Sequence, residues 1–192
     1  MKVFCISGKA GHGKDTFANI LSNKLMEKDQ RVLTIHYADL LKWMCQKLFN
    51  WDGVKDDAGR HLLQYVGTNV IRKQNPDFWV GFVADVLGFF GDEWDYVLIP
   101  DCRFPNEIEF LRSRGFDVTH IRIVRSGFDS VLSAEQKAHP SETALDDYPA
   151  DVVIRNNGTL DELYDSVVVH TKGDDLDGIS DSKKRWPCAT IL

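Results

Sequence analysis

The sequence predicts an α/β fold in which helices cover both faces of a parallel β-sheet. Two observations support this class. Short apolar runs alternate along the chain with segments whose apolar residues recur at helical spacing. The first apolar run leads directly into a glycine-rich loop and a helix-patterned segment, as a βα unit does. With 192 residues the chain is long enough for one such domain with its own hydrophobic core.

The first half of the chain supplies two strands and four helices. Apolar runs predict strands at 3–7 and 32–36. Apolar residues three and four positions apart predict amphipathic helices at 14–27 and 39–49. The apolar residues of the first helix are Phe17, Ile20, Leu21 and Leu25, and those of the second are Leu40, Leu41, Met44, Cys45 and Leu48. An acidic connection at 51–59 follows. Two more helices are expected at 61–72 and 78–90, the second opened by Asn75-Pro76 as cap and first turn.

The second half supplies three strands and three helices. Apolar runs predict strands at 96–100, 118–124 and 152–155. Helices are expected at 107–114, 130–138 and 160–169, and Gly115 ends the first of them because glycine readily takes the left-handed conformation at a helix end. We assign residues 1–170 to one domain and residues 171–192, rich in Gly, Asp, Ser and Lys, to a loose polar tail.

Composition excludes several classes of protein. The net charge of -6 disfavours wrapping of nucleic acid. The longest apolar stretch, 78–90, is too short to span a bilayer and contains Asp85, so we expect no membrane segment. The four cysteines lack C-x-x-C spacing and no signal peptide is visible, which predicts a cytoplasmic protein with reduced thiols. The choice between a monomer and a homodimer stays open.

Residues 8–16, GKAGHGKDT, form the most specific motif in the chain. Their spacing is G-x-x-x-x-G-K, that of a phosphate-binding loop (P-loop). Glycines let several backbone N–H groups converge on one centre, the next helix directs its positive dipole end there, and Lys14 adds a full charge. The loop predicts a site for the β- and γ-phosphates of a nucleotide, formed by Gly8, Gly11, His12, Gly13, Lys14, Asp15 and Thr16.

Three polar residues predict a magnesium site beside this loop. Asp15 stands where Ser or Thr is usual, and a carboxylate can hold Mg²⁺ directly or through water; Thr16 follows it. Asp101 ends an apolar strand, where P-loop proteins place a second group for Mg²⁺, although Asp is also a common helix N-cap. Arg103 could hold a phosphate through two parallel hydrogen bonds, or pair with Glu107 as a surface ion pair.

Six segments together resemble phage-type deoxynucleoside monophosphate kinases, a group within the P-loop nucleotide kinases. They keep one order from residue 8 to residue 163: GKAGHGKDT, LQYVGT at 63–68 with Trp79 beyond it, WDYVLIPDCR at 94–103, VTHIRIVR at 118–125, HPSE at 139–142, and NNGTLDEL at 156–163. The last segment is also similar to one in dephospho-CoA kinases.

This resemblance implies a three-layer α/β/α P-loop kinase fold with a five-stranded parallel sheet. It implies acceptor-binding helices at about 38–90, a lid at about 126–150, and transfer of a phosphoryl group from ATP to a (deoxy)nucleoside monophosphate, with Mg²⁺ as a cofactor. Lys14, Asp101, Arg103 and Arg125 would be catalytic. The alternatives are another small-molecule kinase, such as one acting on dephospho-CoA, or a nucleotide-binding regulatory domain without transferase activity.

The resemblance also implies where both substrates bind. The acceptor would contact Asp39, Lys42, Gln64, Thr68, Arg72 and Trp79. Gln64, Thr68 and Arg72 are four residues apart and therefore share a helix face. Solvated helix charges are the alternative for Lys42 and Arg72, and a core position is the alternative for Trp79. Adenine and the lid would involve Arg125, His139, Glu142, Asn156 and Gly158. The base of the acceptor stays open.

Overall fold

The fold is built on a five-stranded parallel sheet. The computed structural model describes residues 1–128, 130 and 132–171. The strands are β1 (Lys2–Ser7), β2 (Val32–Thr34), β3 (Tyr96–Ile99), β4 (Asp117–Val124) and β5 (Val152–Arg155). They lie in the order β2-β3-β1-β4-β5, and every neighbouring pair is parallel. The predicted five-stranded parallel sheet is confirmed.

Eight α-helices connect and cover these strands in the described part of the chain. They are α1 (Lys14–Met26), α2 (Ala38–Leu48), α3 (Asp57–Gln64), α4 (Phe78–Phe89), α5 (Pro105–Ser113), α6 (Ala134–Ala138), α7 (Pro140–Thr143) and α8 (Leu160–Thr171). A π-helical segment, Tyr65–Arg72, continues α3, and a 3₁₀ turn, Gly91–Glu93, precedes β3. No helix in the described ranges is long and apolar enough to cross a membrane.

The core is two layers of side chains, one on each face of the sheet. Alternate residues of β1 point to opposite faces, so Val3 and Cys5 join one cluster and Phe4 and Ile6 join the other. Helices α2, α4 and α5 cover the first cluster, and α1 and α8 cover the second. Because both faces are covered, β1 and β3 are continuous apolar runs. The three-layer α/β/α architecture is confirmed.

Several predicted element boundaries differ from the structure. Helix α3 begins at Asp57, inside the segment interpreted as a connection, because the carboxylate of Asp56 accepts the Gly59 N–H at 2.7 Å and caps the helix. The predicted helix at 130–138 starts only at Ala134, after the cap Ser133. Strand β2 ends at Thr34. The predicted polar tail, apart from residue 171, lies outside the described residues.

Candidate active site

The P-loop joins β1 to α1 at the carboxyl edge of the sheet. A side chain on any of its three glycines would force a neighbouring group to shift, and two of these glycines, Gly8 and Gly13, lie against the ends of other strands. A Cβ on Gly8 would lie 2.4 Å from the Ile123 carbonyl oxygen, and one on Gly13 would lie 2.4 Å from the Asn156 amide nitrogen. Both glycines also have positive φ angles, 142° and 93°. The loop therefore passes close to the neighbouring strand ends, and α1 starts directly after it at Lys14.

Lys14 is held over its own loop. Its Nζ donates hydrogen bonds to the carbonyl oxygens of Gly8 and Lys9, at 2.8 and 2.9 Å. Burial and the nearby Arg103 guanidinium lower the pKa of Lys14 to about 8. The ammonium is thus positioned at the loop and poorly solvated, which strengthens its interaction with any anion that enters.

A cavity of about 450 Å³ lies beside the P-loop at the carboxyl ends of β1 and β3. In open parallel sheets ligands bind at this edge, where the strand order reverses. The cavity brings together many of the residues predicted from the sequence: Gly11, Lys14, Asp15, Lys42, Gln64, Thr68, Arg72, Trp79, Asp101, Arg103 and Glu142. The other predicted residues do not line it: Gly8, His12, Gly13, Thr16, Asp39, Arg125, His139, Asn156 and Gly158.

Asp101 caps the helix that follows β2. Its two carboxylate oxygens accept the backbone N–H groups of Tyr37, at 3.0 Å, and Ala38, at 2.9 Å. Asp101 is therefore not the N-cap residue of the helix that follows it, which has Phe104 at that position; it binds the amino end of α2 instead. Each oxygen retains a lone pair, and Asp101 still lines the cavity with Asp15.

His36 is a cavity residue that the sequence analysis missed. Its Nε2 lies 3.8 Å from Asp15 and its Nδ1 lies 3.2 Å from Asp39, whose other oxygen accepts a hydrogen bond from Lys42 at 2.8 Å. The Asp15 carboxylate raises the pKa of His36, and the same contact lowers the pKa of Asp15. Asp39 therefore holds Lys42 and His36 in place without lining the cavity itself. His36 could have been predicted as a site residue because it follows β2, whose carboxyl end lies at the edge of the sheet where the cavity forms.

The carboxylates that line the cavity are suitable ligands for Mg²⁺. Mg²⁺ is usually held by one or two carboxylates together with waters and substrate phosphates. Asp15, whose side chain is 79% exposed, and Asp101 both line the cavity near Lys14. Thr16 is exposed outside it. No group of three His, Cys, Asp or Glu residues in the described ranges could hold a metal by protein ligands alone.

Arg72 and Arg103 both line the cavity, and both are held by acidic residues. Arg72 pairs with Glu107 at 2.6 Å, while Arg103 donates to the Glu142 carboxylate and, at 3.2 Å, to the Ser141 carbonyl oxygen. The predicted alternative of an Arg103–Glu107 side-chain pair is wrong. Glu107 is buried, and it accepts the backbone N–H of Arg103 instead.

The π-helical segment presents a polar face to the cavity. Gln64, Thr68 and Arg72 all line it, so the predicted shared face is confirmed although the helix type differs. Gly67 allows the segment to approach α2, because a Cβ there would lie 2.7 Å from Leu41. The Gly67 carbonyl oxygen accepts the indole N–H of Trp79 at 3.0 Å. Wide helical turns of this kind often occur at functional sites.

Trp79 belongs mainly to the core. It is 4% exposed and packs in the cluster on the first face of the sheet, so only an edge of the ring reaches the cavity. The core alternative from the sequence is therefore correct for most of this side chain, because its apolar body is buried while its N–H is satisfied by Gly67.

The predicted lid contacts the P-loop through Glu142. Its carboxylate accepts the backbone N–H of Ala10 at 3.3 Å and pairs with Arg103, while Lys9 donates to its carbonyl oxygen and pairs with Asp146. A second cavity of about 220 Å³, lined by Gly8 and His12 among others, lies between the loop and this segment. Residues 129 and 131 of the predicted lid lie outside the described residues.

Two other predicted lid residues are placed away from the main cavity. His139 caps α7, where its Nδ1 accepts the Ser141 N–H at 3.2 Å. Arg125 is exposed, and its guanidinium lies over the Phe128 ring, 4.9 Å from the centroid. Local hydrogen bonding and stacking hold these side chains, and neither contact is visible from sequence spacing.

Three residues predicted near the nucleotide make contacts around the P-loop and the start of α8. His12 Nδ1 lies 3.3 Å from both the Ile123 oxygen and the Arg125 nitrogen, and burial lowers the pKa of His12. Asn156 donates to the His12 carbonyl oxygen at 3.0 Å. Gly158 makes room for Glu162, which would lie 1.6 Å from a Cβ there.

Comparison with known proteins identifies the family. The profile of the family "Deoxynucleotide monophosphate kinase" matches residues 28–167. The chain is 34% identical over 110 residues to the deoxynucleotide monophosphate kinase of Escherichia phage RB69, and 33% identical over 110 residues to that of Enterobacteria phage T4. Each match covers 56% of this chain but only 42% and 43% of the two relatives, so the chain matches less than half of their length.

A solved structure supports the same fold. A sugar kinase from a Janibacter species superposes with a TM-score of 0.50 over 90% of this chain and 95% of that chain, at 12% identity. Such low identity shows the fold alone. Together, the matched profile and the P-loop at the sheet edge show that the chain belongs to the deoxynucleotide monophosphate kinase family.

Proposed function

We propose that the protein transfers the γ-phosphoryl group of ATP to a (deoxy)nucleoside monophosphate and releases the two diphosphates. Family membership supports the reaction, and one structural observation supports a phosphorylated acceptor. Arg72 lines the cavity, and its Nε atom is buried without a hydrogen-bond partner among the described residues. An unsatisfied buried donor costs about 1–3 kcal/mol. A phosphate oxygen of the acceptor would satisfy it.

The donor side of the cavity fits a nucleoside triphosphate. Lys14 and the backbone at Gly11–Thr16 would bind the β- and γ-phosphates, and Asp15 and Asp101 would hold Mg²⁺, directly or through water. When bound, Mg²⁺ neutralises charge on the transferring group. Thr16 would join this site only by a change of position, because it is exposed outside the cavity.

The transfer requires positioning and charge stabilisation more than covalent catalysis. An oxygen of the acceptor phosphate attacks the γ-phosphorus, and the bond from that phosphorus to the β–γ bridging oxygen breaks, so ADP leaves. Arg103 lines the cavity with both Lys14 and Arg72 and would contact the phosphoryl group between them. Arg72 and Lys42 would hold the acceptor phosphate, with Gln64 and Thr68 beside it.

The lid residue Glu142 would give way to ATP. Its carboxylate is held by the P-loop N–H of Ala10 and by Arg103, which are the groups that would bind phosphate oxygens. We propose that ATP displaces this internal anion and that the lid then closes over the nucleotide and excludes water. Arg125 and Asn156 stand at the ends of β4 and β5, where the adenine would lie.

We also propose that the protein is located in the cytoplasm. Cys5, Cys45 and Cys102 are buried and unpaired, as is usual where thiols are kept reduced. Cys188 lies outside the described residues.

A coupled assay of ATP turnover tests the function directly. The acceptors are the four common deoxynucleoside monophosphates, the ribonucleoside monophosphates, dephospho-CoA, and a blank without acceptor. We expect turnover with at least one deoxynucleoside monophosphate and none in the blank. Turnover only with dephospho-CoA would favour the other small-molecule kinase, and tight ATP binding without any turnover would favour the regulatory domain.

We expect Asp15→Asn to raise the Mg²⁺ concentration needed for half-maximal rate by on the order of tenfold, because the variant removes one anionic group from the metal's surroundings. A Mg²⁺ titration of the rate at saturating ATP measures this. The control is Asp117→Asn, an exposed carboxylate at the amino end of β4, away from the cavity. If the titration does not move, the carboxylate of Asp15 serves only to hold His36.

We expect Arg72→Ala to raise the KM of the acceptor by about 10- to 100-fold, since hydrogen bonds to charged groups contribute roughly 1.5–3 kcal/mol. The KM of ATP should stay within about twofold, and Arg72→Lys should recover part of the loss because the charge is restored. Arg114→Ala, at an exposed arginine after α5, is the control. An acceptor KM that stays constant for every monophosphate would place the acceptor elsewhere.

A further inference from the structure

Glu107 is a buried carboxylate that contacts both arginines of the cavity. It binds the side chain of Arg72 and the backbone N–H of Arg103. It lies in the first turn of α5, and its side chain is 2% exposed. Burial raises the pKa of Glu107, and the Arg72 guanidinium opposes this. Its two oxygens are used on different sides, one toward each arginine. A fully buried acid needs such partners, since an unpaired buried charge is strongly unfavourable.

On the acceptor side, Glu107 determines where the Arg72 guanidinium lies. Its Oε1 accepts from Arg72 Nη2 at 2.6 Å. The Phe104 ring lies beneath the guanidinium, 4.0 Å from its central carbon, and Asn106 accepts from Nη1 at 3.3 Å. These contacts hold two of the three guanidinium nitrogens and leave Nε buried without a partner among the described residues.

On the donor side, Glu107 holds the backbone that carries Arg103. Its Oε2 accepts the N–H groups of Arg103, at 2.6 Å, and Phe104, at 3.0 Å. The turn between β3 and α5 is therefore closed on the same carboxylate that binds Arg72. Phe104 links the two sides a second time, because its ring stacks on Arg72 while its N–H binds Glu107.

We propose that Glu107 is a positioning residue that sets the spacing between Arg72, on the acceptor phosphate, and Arg103, on the transferring phosphoryl group. This rests on the proposed function. In-line transfer needs both phosphates aligned, and a displacement of about 1 Å can cost on the order of 10²-fold in rate. A single buried carboxylate that is hydrogen-bonded to the Arg72 side chain and to the Arg103 backbone would keep that alignment while substrates bind and products leave.

A simple helix cap is the competing role for Glu107. A cap stabilises α5, and its loss lowers stability without altering substrate kinetics in any specific way. The positioning role instead predicts separate kinetic effects on the two arginines. Glu107→Gln distinguishes the two roles, because it keeps the size of the side chain and removes the charge that binds Arg72.

The experiment measures kcat and both KM values for Glu107→Gln, alone and combined with Arg72→Ala. We expect the single variant to raise the acceptor KM by about tenfold and to lower kcat by on the order of 10²-fold, with the ATP KM within about twofold. In the Arg72→Ala background the substitution should no longer raise the acceptor KM but should still lower kcat, because only the Arg103 support remains.

Two controls separate positioning from stability. Glu109→Gln changes an exposed acid on the same helix, and Ile108→Val destabilises the buried side of the same turn. Both should leave kcat and the acceptor KM within about twofold of the wild type. Equal kinetic losses in Ile108→Val, or a Glu107→Gln variant that keeps wild-type kcat and KM, would overturn the proposal. A change in KM without a change in kcat would also overturn it, because Arg103 would then be independent of Glu107.

A chemical readout keeps this proposal distinct from the proposed function. Phenylglyoxal modifies accessible arginines, and peptide mass spectrometry gives the rate at each site without any substrate. We expect Glu107→Gln to accelerate modification of both Arg72 and Arg103 and to leave Arg114 unchanged. If the wild type transfers phosphate to no acceptor, the proposed function fails. If the two rates stay at their wild-type values, the link through Glu107 fails.

Discussion

Replacing Lys14 by alanine is expected to abolish phosphoryl transfer and to weaken ATP binding by about 10- to 100-fold. Lys14 is the positively charged side chain of the P-loop that lines the main cavity, and hydrogen bonds to charged groups contribute roughly 1.5–3 kcal/mol. The transition state carries more charge on the phosphoryl oxygens that this ammonium would contact, so the loss in rate should exceed the loss in affinity.

Lys14→Ala should still fold, and the contribution of Lys14 should be visible in how the stability of the protein changes with pH. Since the pKa of Lys14 falls from 10.5 to about 8 on folding, the unfolded chain binds this proton more tightly. Lys14 therefore destabilises the folded wild type below pH 8, and stability rises between about pH 8 and 10.5. Lys14→Ala should lack that rise and should be no less stable than the wild type at pH 7 in thermal denaturation.

Turnover in the coupled assay and nucleotide affinity by calorimetry measure the effect of Lys14→Ala, with circular dichroism to show that the variant is folded. Lys28→Ala, an exposed lysine just beyond α1, is the matched control. Wild-type turnover in purified Lys14→Ala would refute the assignment of this loop as the triphosphate site.

Replacing Arg103 by lysine is expected to reduce kcat by on the order of 10³-fold or more, with a much smaller change in ATP affinity. Arginines that stabilise a transferring phosphoryl group contribute effects of this size. Lysine keeps the charge but lacks the planar fork that binds two oxygens at once. Lysine would also lose some of the hydrogen bonds that Arg103 makes to two lid residues, the Ser141 carbonyl oxygen and the Glu142 carboxylate.

Single-turnover kinetics separate the chemical step from binding for this variant, and Arg114→Lys is the control at an exposed arginine. A rate constant within about twofold of the wild type would leave Arg103 with no role beyond its contacts to Glu142 and Ser141. A loss confined to the KM of ATP would assign it to substrate binding instead of the transferring group.

Local sequence patterns were sufficient for the framework of this protein. The strand at β1, the glycine loop and the start of α1 follow from spacing within fourteen residues or so, because hydrophobic periodicity and glycine conformation act over short distances. The same reasoning places Asp101 and Arg103 at the carboxyl edge, since they follow a buried strand and all parallel strands end on one side of the sheet. The cavity confirms that Lys14, Asp101 and Arg103 meet there.

Side-chain partners could not be obtained in this way. Asp101 caps α2 through Tyr37 and Ala38, which precede it by more than sixty residues, and Glu107 pairs with Arg72, 35 residues away. Neither choice has a local signature, because an acid after a strand or in a first helical turn has several equivalent partners nearby. Which of them it meets depends on how the elements pack.

The sequence by itself therefore determined the order of the elements, the P-loop and the edge of the sheet at which the site forms. Only the tertiary structure decided which polar groups line that edge and which partners hold them. It turned Arg125 and His139 toward local stacking and capping, buried Trp79, and brought His36 between Asp15 and Asp39. The physical reason is that strand and helix formation depends on neighbours in the chain, whereas pairing of buried charges depends on neighbours in space.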